Sequence, residues 1–301
     1  MKAYKLPLLL FILLSSLHAK GFENVYKIGD FKIFYTFNGK NKLPIKNQVD
    51  NNHNFVPDYI EYIGNQLNES SKLFSSLNYI SPLESERYKN RAYFINVSIV
   101  KLKNNGSAYD GINKAKKNNI EKSKPALAMK ISNKLSKNSL TPIHEYFHLL
   151  QNGYTMFKNR WYTEGTARWS ETMLRDGIGK SKLLPQTNRE LRTILSQTYK
   201  TSTMWNRLTY LIDENDCHPN RQNNYRICGT TFMKNFLENL MKYDKLASKE
   251  MHYKIYDWKE ADQKSSKNNK YILMALANTV EKTKTNNNEV KSFLKLIKNF
   301  N

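Results

Sequence analysis

Residues 144–171 read HEYFHLLQNGYTMFKNRWYTEGTARWSE, and the fold turns on whether this stretch is a metal-binding pair of helices or an ordinary amphipathic one. On a helix, His144 and His148 are one turn apart, so both imidazoles leave the same face and can reach one ion. Glu145 is rotated from His144 by about 100°, where it can meet a water beside that ion. Histidine occupies 6 of 301 positions, which makes a chance HExxH match rare. Two unremarkable histidines on an amphipathic helix are the competing reading. Thr141 and Pro142 supply a helix start, and Asn152 and Gly153 a stop.

A catalytic zinc takes three protein ligands and keeps its fourth position for water. Glu164 is the candidate third ligand. In WYTEGTARWSETML, Thr163 is placed to cap a second helix with Glu164 in its first turn. Gly165 and Ala167 are small enough to let that helix approach the first closely. The bland alternative is a carboxylate that complements the positive end of its own helix, which does not account for the small residues beside it. Glu171, two turns on, either orients a ligating histidine through its free ring nitrogen or is simply solvated.

HEYFHLLQ followed by WYTEGTARWSE resembles the gluzincin zinc metallopeptidases, in which a glutamate on a second helix completes the HExxH site. It is most similar to secreted bacterial proteins of that kind with HExFHxxQ and WxxEGxAxWxE. Upstream, NFVPDYIEYIGNQLNESSKLFSSLNYISP and INVSIVKL resemble that group's "NGIPDYVE" helix and the strand after it, so the likeness covers roughly residues 30 to 180. The resemblance implies His144, His148 and Glu164 as zinc ligands and Glu145 as general base. It also makes Tyr225 the first choice for stabilising the oxyanion, because an aromatic residue, a glycine and an amphipathic helix follow the site in that family too. His218 and Tyr154 are alternatives, and each of the three has a plain structural reading.

Along the rest of the chain, residues 22–48 read as strands around FKIFYTF with a turn at NGK. Residues 58–80 have apolar positions at Tyr59, Ile63, Leu67, Leu73 and Leu77, the spacing of a long amphipathic helix. AYFINVSIVKL (92–102) reads as a buried strand, the polar stretch 103–124 as loop, and ALAMKIS (126–132) as one more strand. That last strand either offers an exposed edge to an extended substrate or is simply core. Beyond residue 180 the chain reads as mainly helical, most clearly in FMKNFLENLMKY and NEVKSFLKLIKNF. The expectation is an α+β, gluzincin-like fold: a mixed sheet with helices and the two site helices over residues 20–180, then a mainly helical part over 181–301.

The chain opens MKAYKLPLLLFILLSSLHAK: Lys2 and Lys5, an apolar run from Leu6 to Leu14, and small or polar residues ending at Ala19. That is the layout of a secretory signal peptide over residues 1–19. The run is shorter than the roughly 20 residues a membrane span needs. No cysteine lies near the cleavage point to invite lipid attachment. Export makes a disulfide between Cys217 and Cys228, the only two cysteines, the expected pairing across DCHPNRQNNYRIC; two buried free thiols are the alternative. The net charge of +22 favours electrostatic association with anionic surfaces. Lysine and asparagine are spread evenly along the chain, which argues against a specific nucleic-acid partner.

DNNHNFVPDYIE (50–61) matches the twelve-residue calcium loop at Asp50, Asn52, Asn54, Asp58 and Glu61, with the Val56 carbonyl at position seven. Phe55 stands where that loop requires glycine, and glycine is what the resembled family has there. The competing reading is a polar turn before a helix. Together these readings point to an exported, monomeric zinc metallopeptidase acting on peptides or proteins. Its rivals are a binding or adhesion protein that keeps the fold without cleaving, and a zinc hydrolase of cell-wall polymers.

Overall fold

The computed structural model describes residues 22–113, 124–174, 182–213, 218–219 and 226–300. These residues form an α+β fold. One mixed five-stranded sheet has the order β1-β2-β3-β5-β4. β1 (Asn24–Ile28) pairs antiparallel with β2 (Phe31–Tyr35), while β2, β3 (Ile95–Val100) and β5 (Leu127–Ser132) run parallel. β4 (Gly106–Ala108) closes the far edge antiparallel to β5. Phe31, Ile33 and Tyr35 alternate inward on β2, whereas β5 is buried at nearly every position, as a strand covered on both faces must be.

The parallel β2–β3 pairing needs a crossover, supplied by α1 (Asp58–Ser76). Tyr59, Ile63 and Leu67 face the core as their spacing predicts, but Phe74 rather than Leu73 is the buried residue of the last turns. The helix stops at Ser76 instead of reaching Ile80, because Asn78 turns to φ +61°, a left-handed conformation that ends a helix. The stretch expected to be loop contains β4. That strand covers the free edge of β5, so ALAMKIS is an interior strand and the edge belongs to Gly106–Ala108.

After the sheet come α2 (Thr141–Tyr154) and α3 (Arg160–Ser170), then α4 (Asn188–Ser196), α5 (Ser202–Ile212), α6 (Thr230–Glu250), the short α7 (Glu260–Gln263), α8 (Asn268–Lys282) and α9 (Asn288–Lys298). FMKNFLENLMKY lies within α6, which buries Phe232, Met233, Phe236, Leu237 and Leu240. Trp161 of α3 stacks on Trp205 of α5, centroids 5.7 Å apart and planes within 8°. One hydrophobic core runs from β2 to α9. Cys228 is disulfide-bonded; Cys217, Tyr225 and the leader expected at residues 1–19 lie outside the described residues. Among the described residues no helix is long and apolar enough to cross a membrane.

The Asp50–Glu61 loop closes on itself. The amides of Asn52 and Asn54 donate to the two carboxylate oxygens of Glu61 (3.0 and 2.7 Å), and Asp50 accepts from the Phe55 N–H (2.8 Å). This is the hydrogen-bonding of a polar turn. Among the described residues its acidic groups do not converge as metal ligands; the group that does lies elsewhere. Phe55 nevertheless adopts φ +70°, the conformation glycine would take, with its ring 91% exposed. A bulky residue there carries about 1–2 kcal/mol of strain, partly offset by the entropy a glycine loses on folding. Phe55→Gly is therefore expected to stabilise the protein by about 0.5–1 kcal/mol in urea denaturation; a loss of stability would show that the ring makes a contact the fold needs.

Candidate metal centre

α2 is buried on almost every side, and Pro142 sits in its first turn. Its start matches expectation. Its end does not: the helix runs through Asn152 and Gly153 to Tyr154. Gly153 serves packing, since a Cβ there would lie 3.0 Å from the Ser85 side chain. α3 begins at Arg160, earlier than a Thr163 cap would have it, so Glu164 stands one turn into the helix. Gly165 faces away from α2: a Cβ on it would come within 2.3 Å of Thr201 Oγ1 and 2.5 Å of Trp205. The small residue lets α3 seat on α5, and that seating points Glu164 back toward α2.

His144, His148 and Glu164 converge. His144 Nε2 lies 3.2 Å from His148 Nε2, and Glu164 Oε2 lies 3.4 and 3.5 Å from the two nitrogens. Ligands at about 2.0–2.2 Å from a tetrahedral ion stand about 3.3–3.6 Å apart, so the spacing suits one. The outer hydrogen bonds identify the donor atoms. Gln151 gives its amide N–H groups to Thr163 O and Thr166 Oγ1 (2.9 and 2.6 Å), leaving only its carbonyl oxygen for His148 Nδ1 at 2.7 Å. His148 Nδ1 must therefore carry the hydrogen. His144 Nδ1 faces Glu171 Oε1 at 2.9 Å, and Arg168 holds that carboxylate in turn (3.1 Å). Both Nε2 lone pairs are thus turned inward toward a carboxylate oxygen, an arrangement that asks for a cation between them.

Without an ion, a proton takes the place of that cation. Burial opposes a charged His144, yet the hydrogen-bonded carboxylates of Glu164 and Glu171 outweigh it and lift its pKa to about 9. Burial likewise opposes ionised Glu164, and the two histidines hold it far below the usual carboxylate range. Among the described residues, His144, His148 and Glu164 form a group that could hold a metal ion. Beside them, burial pushes the Glu145 carboxyl up, and the charge of Glu164 adds to that against the two histidines and the Ala108 backbone, which pull it down.

The three groups line a cleft of about 640 Å³, walled by β4 on one side and by Tyr199, Arg160, Lys158 and α7 on the other. β4 fits closely over α2. A Cβ at Gly106 would sit 2.7 Å from both Glu145 Oε1 and Thr141 Cγ2, so a glycine is what lets strand and base share this space. Tyr199 was not legible from the sequence. Its ring centroid is 6.1 Å from that of His144, and the Arg160 guanidinium lies over it at 5.8 Å. No sequence motif surrounds it; a short 3-10 turn before α5 carries it in. Tyr154 is excluded from catalysis by position: it is buried, and its hydroxyl accepts from the Ile80 N–H at 2.8 Å. The side chains of Tyr225 and His218 lie outside the described residues.

No family model, curated protein or solved structure matches the chain. The donor set itself makes a prediction. Adding zinc to chelator-treated protein should raise its melting temperature, and His148→Ala or Glu164→Ala should remove the shift. Glu171→Gln should keep the site but weaken zinc affinity about 10–100-fold, read by competition with a chromophoric chelator. A zinc-dependent shift surviving in His148→Ala would disprove the assignment.

Proposed function

We propose that the chain is an exported zinc metallopeptidase of gluzincin type, hydrolysing peptide bonds in the cleft between β4 and α3. The observation that carries this reading is the convergence of His144, His148 and Glu164 with a separate buried carboxylate, Glu145, beside them. A zinc ion held there would supply Lewis acidity, polarising a carbonyl and acidifying water to a pKa near 7. Glu145 takes the proton of the attacking water and delivers it to the leaving amine. It lies buried in the cleft beside the metal ligands, within reach of a group bound there.

β4 offers an extended chain its backbone. Ser107 and Tyr109 turn toward β5, Tyr109 donating to Ala128 O (2.9 Å), so the alternation sends Gly106 and Ala108 outward to the cleft. A peptide lying along that edge passes over the metal ligands as an added strand. Tyr199, on the opposite wall with Arg160 against its ring, is placed to donate to the carbonyl oxygen as it gains charge. The leader over residues 1–19 and the charge of +22 suit a protein working outside the cytoplasm near anionic surfaces.

Purified protein should degrade a denatured protein substrate, lose that activity to chelator, and regain it with zinc. Glu145→Gln should lower the rate at least about 100-fold with zinc content unchanged. Unaltered binding of partners with no hydrolysis by either protein would favour the binding-protein reading, and activity on cell-wall polymers alone would favour the glycan or amide hydrolase. Tyr199→Phe should lower kcat on the order of 100-fold and leave KM nearly constant; an unchanged kcat would remove Tyr199 from the reaction.

A further inference from the structure

One end of the cleft brings two cations to a single carboxylate. Asp110, just beyond β4, is gripped by Arg87 through two bonds of 2.5 and 2.8 Å, and Arg87 also donates to Asn152 O at 3.0 Å. That bidentate pair already neutralises the carboxylate. Lys158 is nonetheless brought to the same group, its Nζ 3.1 Å from Asp110 Oδ1 and donating to Asn152 Oδ1 as well. Its backbone N–H is pinned to Gln263 O of α7 at 2.8 Å. Two cations thus share one carboxylate. The Lys158 side chain, 16% exposed, lines the cleft, and its ammonium has three N–H donors against these two partners.

The nearby charges bear on both cations. Asp244, the other buried carboxylate nearby, accepts from the Met156 N–H (2.9 Å) and from Ser248, and its charge also favours the charged forms of Arg87 and Lys158. Burial lifts its pKa to about 6. Glu260 and Lys264 on the rim pair with each other. Burial also pushes the Lys158 ammonium pKa down, a penalty that an arriving anion would relieve.

We propose that Lys158, with Asn152 beside it, is a subsite for a carboxylate of the substrate. This rests on the peptidase reading of the same cleft. Asn152 follows His148 by one helical turn on the same face of α2, about 6 Å along the axis. A carboxylate bound there stands one or two residues of extended chain from the bond over the metal ligands. The group is either an acidic side chain or the free C-terminus of a peptide.

The test uses zinc-loaded full-length protein and four matched fluorogenic peptides: glutamate or glutamine at the scanned position, each with a free or amidated C-terminus. Carboxylate-bearing peptides should be preferred about 10- to 100-fold in kcat/KM. The free-acid against amide arms show which carboxylate is read. In Lys158→Met the preference should collapse to about one, and in Lys158→Arg it should persist. Equal rates on all four peptides with wild-type protein would overturn the subsite, whatever the variants do. Fluorescence anisotropy of the same peptides on Glu145→Gln protein gives a readout independent of turnover. If no peptide is hydrolysed, the peptidase reading fails, while a retained binding preference for the carboxylate would still uphold the subsite and its absence would sink it.

Discussion

Two imidazole nitrogens and a carboxylate oxygen held within 3.5 Å of one another are a costly arrangement in a buried place. Each histidine has its other nitrogen committed as a donor, to Gln151 or to Glu171, so the inward faces are lone pairs. Such a cluster is stable only with positive charge at its centre, either as protons on the rings or as an ion. The surrounding structure is the scaffold that keeps these three atoms together. Gln151 is anchored to Thr163 and Thr166 of α3, so one side chain both orients a histidine and ties the two helices. Arg168 steadies Glu171, and the Trp161–Trp205 stack seats α3 on α5.

The cleft adds to this a division of labour among charged groups. Glu164 is held ionised by the histidines, whereas burial makes Glu145, next to them, easier to protonate. Two carboxylates in one cleft are thereby pushed in opposite directions by their surroundings alone. At the far end Arg87, Asp110 and Lys158 form a second charged group, which fixes the end of β4 to the C-terminal turn of α2 and the loop before α3. The same edge strand is thus tied at one end by an ion-pair network and fitted at the other over Glu145 through Gly106.

Much of the fold was legible because it rests on local periodicity. The burial alternation of β2, the apolar stripe of α1 and the amphipathic C-terminal helices all follow from which side chains must leave water. Element ends were less legible. Asn152–Gly153 looks like a helix stop, yet Gly153 is spent on packing against Ser85. Gly165 looks like a contact for α2, yet it makes room for Trp205. A glycine in a sequence announces a close approach or a turn without saying which, because the neighbour it accommodates comes from elsewhere in the chain. β4 is three residues long and carries no hydrophobic alternation, so only its pairing with β5 makes it a strand.

The HExxH helix, the glutamate on a following helix and the α+β order of elements follow from the residues alone, since one turn of helix sets the histidine spacing and side-chain periodicity sets the faces. The company those residues keep is set by how the elements pack in three dimensions. Tyr199, Lys158 and the β4 edge reach the cleft from segments with no pattern of their own, and Glu164 points inward because α3 is seated on α5. These are long-range contacts whose energy comes from packing distant parts of the chain together, and no short stretch of residues encodes them.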